Sequence, residues 1–449
     1  MDQDRLNDIE HARALIADGR MQELDAFLAP LQSAAIAESL GELAIEQQIV
    51  VLKRLDNELA AEVLTELDSK SGQALLHLLT DREVVALLGE LPSDDAVDLM
   101  LTLPPGKTER VEALLPSEDR EEIQELLEFG PETAGGLMQV ERVWVREDST
   151  IQDAIDFVRR VADEVESPQR VYVVSDRDEL VGVLSIMDLV LKEPGVRVRD
   201  VMERNVPSVP VFMDQEQVAA LFSKYDEFTM PVVDAGGRLV GRITMDDIID
   251  VMEEEATEDI TAIAGTSDEE LGETSILRVS RSRLPWLITG LLGQVVGAAL
   301  MSRYETSLTT FVVLAFFIPL IVGTAGNIGI QAAVVVVREL ALGQIDLLAM
   351  GRRVFKEVQV AFLNGLVLGA VLFGLVYAWR HDPGLGLLLW GSLTLVIFVA
   401  AFMGASIPLL LHRWRIDPAI AAGPFVTVSN DIIGMAIYLT LATAYLKSH

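Results

Sequence analysis

Residues 418–446 read PAIAAGPFVTVSNDIIGMAIYLTLATAYL, an apolar run that holds one carboxylate, Asp431, and neither Lys nor Arg. It exceeds the roughly 20 residues that a helix needs to cross hydrocarbon, so it reads as a membrane span. An ionised carboxylate near the middle of a span costs about 2.5–3.5 kcal/mol on insertion scales, so Asp431 should face a wet cavity or a cation. On a helix, Gly423, Thr427, Asn430, Asp431, Gly434 and Tyr438 gather on one face as a polar and small-residue stripe.

Four further apolar stretches precede this one, at about 284–302, 308–337, 354–379 and 386–411. The second carries a matching face, with Pro319, Gly323, Gly326, Asn327 and Gln331 in PLIVGTAGNIGIQ. Small residues alone could be a helix-packing surface, but Asp431 has no such explanation. Asp417, just before Pro418, reads as a helix cap. Arg278, Arg281 and Arg283 precede the first span, Arg338, Arg352, Arg353 and Lys356 surround the second connection, and Arg413 and Arg415 follow the fourth. By the positive-inside rule the N-terminal half faces the cytoplasm and the C-terminus faces out. Trp286, Trp379, Trp390 and Trp414 lie near span ends, where amphipathic rings are accommodated.

Charge divides the chain in the same way. Of 35 Lys+Arg and 69 Asp+Glu, residues 276–449 hold 12 and 7, which leaves a net charge of −39 in residues 1–275. Without cysteine there are no disulfides or thiolate metal sites, and the 5 histidines are too scattered for zinc. The start, MDQDRLNDIEHARAL, lacks an apolar signal core, which predicts a cytoplasmic soluble half.

Residues 1–131 place leucines at helical spacing between short polar turns, a pattern for an all-α superhelix of stacked helix pairs. From 132 the pattern changes to alternating strands, and RVYVVSDRDELVGVLSIMDLV (170–190) aligns without gaps on TMPVVDAGGRLVGRITMDDII (229–249). Each copy gives a strand, a turn, Gly182 or Gly241, a second strand, and then Ser185-x-x-Asp188 or Thr244-x-x-Asp247 opening a helix. The repeat resembles a tandem CBS pair, at 132–199 and 200–258. That resemblance implies an adenine nucleotide such as ATP held by Ser185 and Asp188 at a helix N-terminus. Capping alone explains the same residues.

Acidic residues crowd the connection at 246–275. In DDIIDVMEEEATEDI, Asp247, Asp250, Glu254 and Glu258 share a helical stripe flanked by Asp246, Glu253 and Glu255. Like charges at this spacing destabilise a helix, so the stripe wants basic partners or a divalent cation. Asp94 and Asp98 lie one turn apart, and Asp214, Glu216 and Asp226 add carboxylates in the second repeat. A generally acidic, solvated surface is the competing explanation.

Order and motifs together resemble the MgtE family of magnesium channels: a helical N-terminal module, PETAGGLM (131–138), two CBS repeats, an acidic helix, and five spans carrying GTAGNIGIQ, RELALG and DPAIAAGPFVTVSNDIIG. The resemblance implies a multi-domain membrane protein, all-α then α/β then five transmembrane helices (276–449), in the cell inner membrane. It further implies a homodimer whose second and fifth spans line a pore, with Asp431 at the ion site. Magnesium bound between cytoplasmic domains, at positions matching Asp94, Asp98, Asp214, Asp226, Asp247, Asp250, Glu255, Glu258 and Asp259, would hold that pore shut. The chain departs from the family's usual residues at Ala325, Ile328, Ile330 and Val428. The expected function is magnesium uptake, with divalent ions and lipid as partners, and no nucleic acid. A cation-coupled carrier is the alternative; no constellation of nucleophile, base and oxyanion donors suggests an enzyme.

Overall fold

A computed structural model describes residues 11–162, 165, 168–266, 275–341, 350–414, 416–419 and 423–448. Parts of several expected features lie outside the described residues: 267–274 of the acidic linker, 342–343 of RELALG, Arg415, and 420–422 of the fifth span. The chain forms two compact units, Met1–Val251 and Met252–His449.

The first unit begins as short helices, from Met21–Leu28 through Ser117–Leu126. Short polar turns restart each helix: Asp56 and Asp68 accept backbone N–H groups as N-caps, and Thr80 with Glu83 closes a reciprocal capping box. Helices pack on the next but one, Ile45–Leu52 on Ser69–Leu78 and Asn57–Thr65 on Asp81–Leu88. A superhelix follows from that stacking. Lys53 to Glu83 and Arg110 to Asp81, each at 2.7 Å, tie successive layers on the exposed side.

Two three-stranded sheets follow. In the first, β1 (Trp144–Arg146) is parallel to β2 (Arg170–Val174), which is antiparallel to β3 (Leu180–Ser185). In the second, β4 (Val209–Pro210), β5 (Thr229–Val233) and β6 (Leu239–Thr244) repeat that order and register. Gly182 is required because a Cβ there would stand 2.5 Å from Met202 Sδ, and Gly241 because a Cβ would stand 2.7 Å from Met138 Sδ. Met138 thus serves β6 as Met202 serves β3. The bridges agree, with Val183 opposite Glu203 and Gln139 opposite Arg242. Residues 133–139 therefore hydrogen-bond to the second repeat, although the expected boundary at 132 gives them to the first; Ala134 N also donates to Met213 O at 2.7 Å. One apolar core runs from the helices into the second repeat, through Leu99, Leu126, Met138, Phe222 and Ile248, while the first repeat keeps its own around Ile151, Val173 and Leu184.

Among the described residues, the second unit contains five helices long and apolar enough to cross a membrane: Ile276–Ser302, Val313–Ala341, Met350–Arg380, Pro383–Arg413 and Pro424–Ser448. The first starts earlier than its apolar stretch because the arginine-rich segment before Leu284 stays helical. The last four share a core of Leu314, Ile321, Leu372, Ile397 and Tyr438, whose hydroxyl donates to Leu314 O at 2.8 Å. Arg353, nearly buried, bridges Glu339 at 3.0 Å and Glu357 at 2.9 Å. The first helix packs on the fifth, and most of its large side chains are exposed.

Candidate functional site

In the soluble unit, folding brings together two carboxylates that are remote in sequence. Asp94, in the first turn of Ser93–Thr102, is buried at 6% exposure. Burial holds its carboxyl well above the usual carboxylate range, reinforced by Asp247 and then by Asp95. Asp247 is pushed up to about 6, mainly by burial and further by Asp246 and Asp250, against the opposing hydrogen bonds from Thr244. Thr244 N donates to Asp247 Oδ2 at 3.3 Å, and the Thr244 hydroxyl donates to the same oxygen. Two carboxylates sharing dry space raise one another's affinity for a proton or a cation. Asp98, one turn on, is raised by burial.

The remaining soluble carboxylates have local work. Asp214 is the N-cap of Gln215–Tyr225, accepting from Glu216 N at 3.1 Å, and Asp226 ends that helix in the left-handed region at φ 53°. Asp214 and Glu216 therefore stand at the opposite end of the helix from Asp226, and the structure does not gather the three. Asp246 lines a cavity of about 250 Å³ with Gln139, Gln169, Arg242 and Thr244. In the first repeat Ser185 and Asp188 form a reciprocal box: Ser185 Oγ donates to Asp188 Oδ2 at 2.7 Å, and Asp188 N donates to Ser185 Oγ at 3.1 Å. Among the described residues, no group of three or more His, Asp or Glu side chains is placed to hold a metal ion. Pairs are what the fold supplies, and magnesium usually binds through one or two carboxylates with retained water.

A second pair lies within the membrane unit, at the end of the helix Met245–Ala264. Asp259 is pushed up to about 6 by burial, then by Asp417, Glu255 and Glu258. Asp417 Oδ1 accepts Ala419 N at 2.8 Å, the capping role its position suggests. Ala262 and Ile263 pack against Ala333, Val337, Ala419 and Val426, where the second and fifth membrane helices meet. Gly423 permits this approach, since a Cβ there would stand 2.5 Å from Ile263 O. The acidic helix thus ends against the mouth between those spans.

Asp431, the eighth residue of the helix Pro424–Ser448, is half-buried, and its Oδ2 accepts from Gln294 Nε2 at 2.9 Å. Its Oδ1 faces Gly326, where a Cβ would lie 3.6 Å away. Thr427 is beside it, also against Gly326, and donates to Gly423 O at 3.1 Å. On the second span Pro319, Gly323, Asn327 and Gln331, spaced four apart, form an exposed stripe. The expected face of the fifth span divides, however. Asn430, at 2% exposure, packs against Gly329 with neither amide atom paired, and Gly434 and Tyr438 are buried in helix packing. Asn430 is therefore part of the packing between spans in this chain, because 100° per residue turns it away from Asp431. Gln294 escaped the sequence reading. Its signal was a lone amide in an otherwise apolar span, beside glycines in TGLLGQVVG (289–297).

Residues 318–441 match the MgtE family, described as divalent cation transporter; residues 31–132 match the MgtE intracellular N domain, and 134–194 and 198–254 the CBS domain. The magnesium transporter MgtE of Thermus thermophilus is 38% identical over 329 residues, 73% of each chain. This chain belongs to the MgtE family. MgtE of Enterococcus faecalis is likewise 38% identical over 326 residues, 73% of this chain and 72% of that one. The crystal structure of the cytosolic domain of the Mg2+ channel MgtE in complex with ATP superposes with a TM-score of 0.53 at 34% identity, covering 54% of this chain and 99% of that one. The expected architecture stands: a helical N-terminal module, a CBS pair, and a membrane unit of five apolar helices. The MgtE family is one of divalent cation transporters and not of enzymes.

Proposed function

We propose that this protein is a magnesium-selective ion channel that mediates magnesium uptake and is gated shut by cytoplasmic magnesium bound to its acidic soluble domains. The observation that carries the reading is Asp431, a half-buried carboxylate within the fifth membrane helix beside the bare backbone of Gly326. A carboxylate at that depth is retained where it serves an ion. The exposed stripe of Pro319, Gly323, Asn327 and Gln331 supports a homodimer, whose second copy brings a second Asp431 to a shared pathway. Two carboxylates with hydroxyl and amide neighbours suit a hydrated divalent ion. The arginines before the first span and after the fourth support a cytoplasmic N-terminal half and an outward C-terminus in the inner membrane.

Gating follows from linkage. An ion that binds the closed arrangement better than the open one shifts the population toward closed. Asp94 with Asp247, and Asp259 with Asp417, are pairs whose repulsion a divalent ion relieves. Asp259 lies on the helix that ends against Gly423, so an ion there would favour the docked position. The solved cytosolic domain of a relative, crystallised with ATP, supports nucleotide binding at the CBS pair, with Ser185 and Asp188 as candidate contacts.

The test is flux and reversal potential in reconstituted vesicles for wild type, Asp431→Ala and Asp431→Asn, with magnesium, cobalt, calcium and sodium compared. Both variants should lose nearly all divalent flux while remaining folded. Flux at the wild-type level in either removes Asp431 from the pathway, and saturable flux driven by a second gradient identifies a carrier.

A further inference from the structure

The first membrane helix meets the fifth through glycine. Gly293 lies directly against Val428, so that any Cβ at 293 would overlap the valine Cγ1, and a Cβ at Gly297 would lie 3.7 Å from Met435. This spacing of small residues lets two backbones approach. One consequence is that Gln294, otherwise exposed, reaches Asp431 and donates from Nε2 to Oδ2 at 2.9 Å. Both groups gain, since an unpaired amide or carboxylate in hydrocarbon is costly. Glutamine is also neutral. A Lys or Arg in its place would hold the carboxylate equally well but would repel the cation that Asp431 is there to attract.

The bond leaves the two carboxylate oxygens unequal. Oδ2 is engaged by the amide, while Oδ1 stands beside Gly326. Resting on the reading of Asp431 as the ion site, we propose that Gln294 is a specificity-determining residue: it occupies one oxygen of Asp431 and so limits the carboxylate to single-oxygen contact with the passing ion or its water. Magnesium demands near-octahedral geometry, keeps several waters and accepts that limit. Calcium takes more ligands in a looser shell and readily accepts both oxygens of a carboxylate. Holding one oxygen back therefore penalises calcium more than magnesium.

The experiment uses the full chain in proteoliposomes loaded with ion-sensitive dyes, with magnesium and calcium fluxes measured on the same preparation. Gln294→Met keeps the length and apolar volume but deletes both amide donors. Its calcium-to-magnesium flux ratio should rise about tenfold, the factor that ~1.4 kcal/mol represents, near the lower end for a hydrogen bond to a charged group. Gln294→Glu, with a second carboxylate in place of the donor, should raise the ratio at least as far. A ratio at the wild-type value in Gln294→Met overturns the proposal. So does a parallel fall of both fluxes in the two variants, which is what a packing residue gives. Asp431→Asn run beside them separates the two readings: wild-type flux there removes the ion site itself, whereas loss of flux there with an unchanged ratio in Gln294→Met removes only the role of Gln294.

Discussion

Asp247 and Asp431 are both half-buried, but the fold surrounds them differently. Beside Asp247 it puts another carboxylate, Asp94, with Asp246 and Asp250 close by. Beside Asp431 it puts an amide donor and a glycine. The first arrangement is unfavourable until something positive arrives. The second is satisfied without one. A sensor needs the former, because its conformation must depend on whether the cation is present; a pathway needs the latter, because its geometry must survive each ion's departure.

The comparison breaks most decisively if the crowded pair can be neutralised without consequence. Asp94→Asn with Asp247→Asn removes the repulsion that a bound ion would relieve, while Asn at 247 still caps its helix. Channel closure should then need about tenfold more cytoplasmic magnesium, a typical coupling between linked sites. Patch recordings against cytoplasmic magnesium, wild type and double variant side by side, decide it, and superimposed inhibition curves would remove both residues from gating.

A smaller effect sharpens the same contrast through stability. The Asp247 carboxyl sits near 6 in the folded chain against 3.8 for an ordinary aspartate. The folded state therefore holds this proton to higher pH than the unfolded state, and the stability involved is present at low pH and lost as pH rises from about 4 to about 6. At neutral pH without magnesium, Asp247→Asn should stabilise the soluble half by about 2 kcal/mol, the order that a two-unit shift represents after allowance for coupling to Asp94. Hydrogen exchange of the full chain over Ser93–Thr102 reads this directly. Added magnesium should protect wild type and leave the variant nearly unchanged; equal protection of both would place the ion elsewhere.

Gly293→Ala tests the other side of the comparison. Overpacking of this kind costs about 1–3 kcal/mol, and here the added methyl must push the first span away from Val428. Folding should survive in the membrane, but the bond from Gln294 to Asp431 should lengthen and magnesium flux should fall several-fold. Full flux would mean that the first span holds its position by other contacts.

These contrasts were unevenly legible in the sequence. The strand repeat and the five spans were readable because period and length are local properties, and Asp431 because its cost has no packing explanation. The partnership of Asp94 with Asp247 was not, since it is made by a core that joins the helical module to the second repeat and leaves the first repeat with its own. The hydrogen bonding of residues 133–139 to the second repeat was not legible, because isolated bridges carry no periodic pattern. Asp214 and Asp226 stand at the two ends of one helix, as N-cap and C-cap, a use that composition cannot separate from metal binding. Gln294 was hidden for the opposite reason: among glycines on an apolar helix, an amide reads as part of a packing surface.

The smallest predicted effect compares the two hydroxyl–aspartate pairs with each other. In Ser185 with Asp188 and in Thr244 with Asp247, the hydroxyl and the backbone N–H of the first residue both donate to the carboxylate three residues on. Asp247 has Asp94 beside it, in the pair proposed above to bind the gating ion, whereas Asp188 tests whether a capping box also holds nucleotide. Ser185→Ala should cost about 1 kcal/mol through the lost cap. Asp188→Asn should change stability by no more than a few tenths of a kcal/mol, because an amide oxygen can still accept the serine hydroxyl and backbone bonds. If Asp188 also receives ribose hydroxyls, that same variant should bind ATP several-fold more weakly, since charge-assisted hydrogen bonds are about twice as strong as neutral ones. Calorimetric titration of the full chain with ATP, paired with its melting temperature, separates the outcomes. Unchanged stability with weakened ATP binding gives Asp188 a ligand. Unchanged stability with unchanged binding leaves it a cap, and leaves the nucleotide of the solved relative to be held by other residues here.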